Sequence, residues 1–193
     1  MNYLEVYNKN FSINIYSVHD EQEYRYRYCM EFLNKNNIGT MIDIGSGRGV
    51  FLNTVKQSID NINILSVDLN NYHNIEHIDF AMTNLANSDD RNNLLNKYEN
   101  NKFELLTCLD VLEHLDKSFI EDVLMLFSKV STTAILTIAN HPEWFDGVEL
   151  HTIQEDFSFW GPLINKYFDV LDYQEQFFHN GTPRLYVVTV KSK

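Results

Sequence analysis

The chain has 193 residues, 44% hydrophobic and 22% charged, a composition suited to one globular domain with its own core. Its formal net charge is −12, from 15 Lys and Arg against 27 Asp and Glu, which disfavours an unassisted grip on a phosphate backbone. Two cysteines do not make a disulfide framework, and no apolar run reaches the roughly 20 residues of a bilayer-spanning helix.

Residues 1–16 read as a lead-in with aromatic anchors, without the basic start and long apolar core of a signal peptide. His19 to Asn36 follows as a helix, with Tyr24, Tyr28, Phe32 and Leu33 at helical spacing. Thr40 to Ile44 is a short buried-strand pattern. It runs into Gly45-Ser46-Gly47-Arg48-Gly49, behind which Val50 to Ser58 suits a helix. Ile62 to Val67 is a second strand, closed by Asp68, and Glu76 to Phe80 a weaker third. Asp89 to Tyr98 is a polar helix and Phe103 to Leu109 a fourth strand. Asp116 to Val130 is an amphipathic helix, with Ile120, Val123, Leu124 and Phe127 on one face, and Thr133 to Ala139 a fifth strand. A loop rich in aromatic and titratable residues leads to a helix over Ile153 to Lys166. Phe168 to Tyr173 and Leu185 to Val190 are too close in sequence for a crossover helix and form an antiparallel hairpin around Asn180-Gly181-Thr182-Pro183.

Strands alternating with helices imply a parallel sheet covered on both faces. The expected fold is therefore α/β: a Rossmann-like, doubly wound sheet, mostly parallel, finished by an antiparallel carboxyl-terminal hairpin strand. One domain is expected over 1–193, with residues 140–160 as the acceptor-side loop and helix. The expected setting is cytoplasmic, with a small-molecule acceptor, no membrane partner and nucleic acid disfavoured. Nothing in the sequence sets an oligomeric state.

The glycine-rich loop joins a strand to a helix, where glycine permits a tight turn and lets a ligand lie against bare backbone. A dinucleotide loop of the form G-x-G-x-x-G would have glycine where Val50 stands. Asp43, beside the loop, repels a pyrophosphate but suits an ammonium or sulfonium group, both of which S-adenosylmethionine carries. Asp68, at the end of the second strand, stands where an acidic residue accepts hydrogen bonds from ribose hydroxyls.

These residues resemble the class I S-adenosylmethionine-dependent methyltransferases. Asp43 to Gly49 is similar to the first motif of that family and Val67-Asp68 to the second. Cys108-Leu109-Asp110-Val111-Leu112-Glu113-His114-Leu115 is similar to the segment after its fourth strand. The resemblance implies that Gly45, Ser46, Gly47 and Gly49 lie along the methionine part of the cofactor. It further implies that Asp68 holds the ribose, that Leu69 flanks the adenine and that Leu109 belongs to the same site. For the adenine amino group the choice is Asp79-Phe80, with Asn84-Leu85 as the rival. Tyr24 and Arg27, on the first helix, are within reach of the cofactor's carboxylate in this reading.

On the acceptor side, His114, His141 and His151 are the candidate bases, with Glu149 beside His151 and Trp144 placed to touch substrate. Methylation on oxygen is expected. If a helical turn begins at Asp110, then Asp110, Glu113 and His114 share one face. With His151 they offer oxygen and imidazole ligands suited to Mg²⁺, Mn²⁺ or Zn²⁺. The pattern is similar to that of metal-assisted O-methyltransferases, including small-RNA 3′-end and polyprenyl-dihydroxybenzoate types, with Asp110 in place of their first Glu. The alternative is that Glu113 and His114 only fix the loop beside the cofactor. Two other functional classes stay open at this point: a non-catalytic S-adenosylmethionine-binding partner, and an NAD-dependent oxidoreductase.

Overall fold

The computed structural model describes residues 20–177 and 183–193. The lead-in expected over 1–16 and the hairpin turn at 178–182 lie outside the described residues. In chain order the elements are α1 (Asp20–Asn36), β1 (Thr40–Ile44), α2 (Val50–Ser58), β2 (Asn63–Asp68), β3 (Asp79–Met82), α3 (Ser88–Tyr98) and β4 (Phe103–Leu109). A 3-10 turn (Leu112–His114) follows, then α4 (Lys117–Val130), β5 (Ser131–Ala139), β6 (Trp144–Phe145), β7 (Val148–Glu149), α5 (Phe157–Tyr167), β8 (Phe168–Phe177) and β9 (Pro183–Ser192).

Seven strands form one sheet in the order β3-β2-β1-β4-β5-β9-β8. Strands β1 to β5 pair in parallel. Strand β9 enters between β5 and β8 and is antiparallel to both. Period-two alternation divides the core between the two faces. Met41, Leu105, Ile135 and Val187 join Cys29 and Leu33 of α1 and Leu52 and Val55 of α2. Ile42, Leu106, Leu136 and Val188 join Leu94, Phe127 and Trp160 from α3, α4 and α5. Both faces are therefore buried, which is why the central strands read as largely apolar, with Asp43, Ser66 and Thr107 the buried polar exceptions on β1, β2 and β4.

Of the boundaries that differ from those read in the sequence, two bear on the site. The third strand covers Asp79–Met82 rather than 76–80. The expected helix over 153–166 begins only at Phe157, capped by Asp156, whose carboxylate accepts from the Ser158 amide at 2.8 Å. Before it, residues 151–156 run irregularly across the 3-10 turn: Ile153 N–H donates to the Glu113 carbonyl and the Thr152 hydroxyl to the Leu115 carbonyl. No helix among the described residues is long and apolar enough to cross a membrane.

Candidate active site

The chain order reverses between β1 and β4, and open α/β sheets bind ligands beyond the carboxyl ends of strands at such a point. A cavity of about 420 Å³ opens there. Ile44, Gly45, Ser46 and Gly47 line it after β1, Asp68 and Leu69 after β2, and Leu109, Asp110 and Val111 after β4.

The glycine loop is shaped by contacts that only glycine satisfies. Gly45 has φ 74°, and a Cβ there would lie 2.2 Å from Cγ2 of Val111. Gly49 ends the loop at φ 69°, under the ring of His73. We expect Gly45→Ala to cost about 2 kcal/mol, from left-handed backbone and overpacking together. Thermal melts should show that loss, and Val111→Ala in the same chain should recover part of it. Asp68 braces the loop from the next strand: its carboxylate accepts from the Gly47 amide at 2.7 Å and the Leu69 amide at 2.6 Å. Burial raises the Asp68 pKa, and those two amides hold the rise in check. The Ser46 hydroxyl lies 2.6 Å from that of Ser66, which lies 2.8 Å from Nε2 of His73.

Asp43 sits behind the loop rather than among the cavity-lining residues. It is 3% exposed and accepts from the Thr107 hydroxyl at 2.5 Å. Burial pushes its pKa up to about 7.

Asp79 and Phe80 lie outside the cavity lining, whereas Thr83, Asn84, Leu85 and Ala86 line it. Register explains the placement. Asp68, at the end of β2, pairs with Met82, so cavity residues must follow Met82, and Asp79 is at the far end of β3. A similar shift corrects the first helix. Tyr24 bonds Gln174 and Arg27 is exposed, whereas Arg25 and Tyr26 line the cavity. Arg25 shares the buried i, i+4, i+8 stripe of Cys29 and Leu33, and it forms an ion pair with Asp110.

On the acceptor side a two-residue Asp146-Gly147 turn, with φ 51° and 77°, closes a small β6–β7 hairpin that the sequence reading missed. Asp-Gly between apolar residues is the signal that would have found it. The hairpin acts as a clip. The Glu149 carboxylate accepts from the backbone amides of Glu143 at 2.8 Å and His151 at 3.1 Å. Glu149 thereby holds the backbone that carries two other titratable residues. Trp144 is 66% exposed and does not line the cavity.

His151 is buried beneath this clip, its ring 4.6 Å from that of His114 and 5.0 Å from that of His141. Nδ1 of His114 meets the Leu150 carbonyl at 3.0 Å, and Nδ1 of His151 meets the His141 carbonyl at 2.5 Å. A carbonyl only accepts, so each Nδ1 carries a proton. Nε2 of His151 lies 2.8 Å from Oε2 of Glu143. Burial lowers the His151 pKa, but Glu143 and Glu113 outweigh it and hold it above the ordinary value. Burial and the neighbouring His151 push His114 down.

Glu113 is fully buried. One oxygen accepts from the Ala139 amide at 2.8 Å, and Oε2 has no partner among the described residues. Glu113, His114 and His151 each offer a ligand atom within 4.8 Å of the others. A buried carboxylate oxygen without a partner, beside two oriented imidazoles, fits a divalent cation. Asp110 stands apart from this group: its carboxylate is engaged by Arg25 and, at 2.8 Å, by the Thr137 hydroxyl.

No family model matches the sequence, and a search of curated proteins returns no match. Solved structures do match. The methyltransferase domain of bacterial CtHen1-CN is 18% identical with TM-score 0.65, over 88% of this chain and 98% of that one. The N-methyltransferase NodS from Bradyrhizobium japonicum WM9, in complex with S-adenosyl-L-homocysteine, is 11% identical with TM-score 0.63, over 90% and 88%. The chain has the class I methyltransferase fold. The small RNA methyltransferase HEN1 is 14% identical with TM-score 0.66, over 92% of this chain but 26% of that one. Within the class I fold, β9 between β5 and β8 completes the sheet, and the cavity lies over the glycine loop.

Proposed function

We propose that the chain is a single-domain enzyme that binds S-adenosylmethionine and methylates a hydroxyl of a small molecule, assisted by a divalent metal. The observation that carries this reading is one cavity flanked by both halves of the chemistry. At one side lie the glycine loop and Asp68; at the other, His114 and Glu143, next to Glu113 and His151. Gly45, Ser46, Gly47 and Gly49 shape the ledge for the methionine part, Asp68 takes the ribose, and Asn84-Leu85 meets the adenine. Arg25 and Arg48 are the cations at the cavity wall, and Arg25, on α1, is the one assigned to the cofactor's carboxylate.

Methyl transfer needs the acceptor oxygen in line with the methyl–sulfur bond, so positioning supplies much of the rate. Glu113, His114 and His151 would hold the metal. When bound, it supplies Lewis acidity that lowers the acceptor hydroxyl's pKa. The chain's own part is to fix those three side chains, through the Ala139 amide and the Leu150 and His141 carbonyls, beside the cavity. The net charge of −12 favours a small acceptor over a nucleic acid. The buried, unbonded thiols of Cys29 and Cys108 suit the reducing cytoplasm.

Calorimetry tests the cofactor half: Asp68→Ala should weaken S-adenosylmethionine binding by about 1–3 kcal/mol, and NADH should not bind. Unchanged affinity in the variant would remove Asp68 from the site. A screen for S-adenosylhomocysteine release tests the acceptor half, with hydroxylated metabolites in one arm and a short RNA bearing a free 3′ hydroxyl in another. Turnover confined to the RNA arm, or an N-methyl or S-methyl product, overturns the small-molecule hydroxyl assignment.

A further inference from the structure

We infer that Glu143, not Asp110, completes the metal centre, so that the ligand set is Glu113, His114, His151 and Glu143. This rests on the metal-assisted reading above and names its fourth ligand. Asp110 is the sequence's natural choice, three residues before Glu113, but both of its carboxylate oxygens are engaged elsewhere. Oδ1 accepts from the Thr137 hydroxyl at 2.8 Å, and Oδ2 forms the ion pair with Arg25. Moving Asp110 to a metal would leave the guanidinium of Arg25, itself 8% exposed, without that partner, and breaking a buried pair is costly.

Glu143 has the opposite circumstances. Its Oε2 lies 2.8 Å from Nε2 of His151. Two ligand atoms each about 2.1 Å from one ion stand roughly 3.0–3.4 Å apart at octahedral or tetrahedral angles. The Glu143–His151 pair is thus near ligand spacing; Glu143 stands outside the Glu113, His114 and His151 atoms that lie within 4.8 Å of one another, so its side chain turns toward them to bind. The backbone of Glu143 is pinned on both sides, by the Glu149 carboxylate on its amide and by the Leu150 amide on its carbonyl at 2.7 Å. Such pinning holds a ligand in place before the metal arrives. Glu143 and His114 also line the cavity, so the centre they share has an open side toward the acceptor.

Charge balance points the same way. Two neutral imidazoles and two carboxylates exactly offset a divalent ion, whereas Glu113 alone would leave a net positive charge among buried groups. Two imidazoles in four ligands favour Zn²⁺, Mn²⁺ or Co²⁺ over Mg²⁺.

The test is Co²⁺ and Zn²⁺ binding to the full chain after chelator stripping, read by calorimetry and by the visible bands of Co²⁺. Wild type should bind one equivalent. Glu143→Gln, which keeps the side-chain volume, should lose affinity by about 10-fold at the least, since loss of an outer-shell partner already costs 10- to 100-fold. Asp110→Asn should keep affinity within about threefold and leave the Co²⁺ bands unchanged. Loss of binding in Asp110→Asn, or full retention in Glu143→Gln, overturns the assignment. If Glu143→Gln fails to fold, as a thermal melt would show, Asp110→Asn decides alone: retained bands support the assignment and lost bands overturn it. Wild type that binds no metal at all overturns the metal reading itself, while S-adenosylmethionine affinity, measured on the same sample, reports separately on the methyltransferase reading.

Discussion

Replacing His151 with alanine is expected to lower turnover of a hydroxyl acceptor by about 10³-fold or more, the scale of removing a metal or an acid–base group from such a reaction. Affinity for S-adenosylhomocysteine should stay within about twofold. The separation follows from where His151 points. Its ring touches His114, His141 and Glu143, and it makes no hydrogen bond to the glycine loop or to Asp68. Removing the ring takes away one of the proposed metal ligands and leaves the buried Glu113 and the half-buried Glu143 without their imidazole neighbour. Excess EDTA should have the same effect on wild type, with activity restored by Zn²⁺ or Mn²⁺. Steady-state kinetics beside calorimetry reads both halves. Full activity in excess EDTA after metal stripping would remove the ion from this account and leave a histidine as the base, with a rate that rises with pH above the ordinary imidazole range for His151 and below it for His114.

The glycine-loop wall of the cavity was legible in the sequence because it is local. Strand, glycine loop and helix follow one another within 40–58, and Asp68 closes the next strand in β1's own register, Asp43 against Ser66. What the sequence hid depended on register or on distant partners. Asp79 and Phe80 fall outside the cavity lining because β3 is four residues long with a mixed pattern, and only pairing to β2 sets where it ends. On α1 the tyrosines drew attention to 24 and 28, but the buried stripe runs through Arg25, Cys29 and Leu33. Glu149 reads as a base beside His151, yet its carboxylate caps two backbone amides of a clip whose Asp146-Gly147 turn went unread. Glu143 carried no motif at all. Its importance comes from the hairpin that folds it back onto His151, a contact between residues eight apart with no helical or strand periodicity behind it.

Asp43→Asn is expected to make the protein's stability less sensitive to pH between about 4 and 7. Alternation along β1 places Asp43 on the same face as Met41, toward α1, where it is 3% exposed. Burial raises its pKa from 3.8 to about 7, and Asp68 adds to the rise. The sign follows from linkage. Below about pH 4 the carboxyl is protonated in both states and imposes no penalty. As pH rises through about 7 the unfolded chain ionises first, and the folded state loses stability until its own carboxyl ionises. A shift of about three units corresponds to about 4 kcal/mol, an order-of-magnitude ceiling. Asparagine mimics the protonated acid and still accepts from the Thr107 hydroxyl through its own oxygen. Its melting temperature should match wild type near pH 4 and exceed it near pH 8 by on the order of 10 °C, at 2–4 °C per kcal/mol for a chain of this size. A difference that stays flat across that range would show that Asp43 is not held protonated. Cofactor binding should show the opposite trend. A sulfonium or ammonium brought close to Asp43 favours the carboxylate, so wild-type affinity should rise with pH across the same window as Asp43 releases its proton. The asparagine variant should bind more weakly and without that slope. Wild-type and variant affinities that rise in parallel would assign the slope to another group and leave Asp43 a purely structural acid.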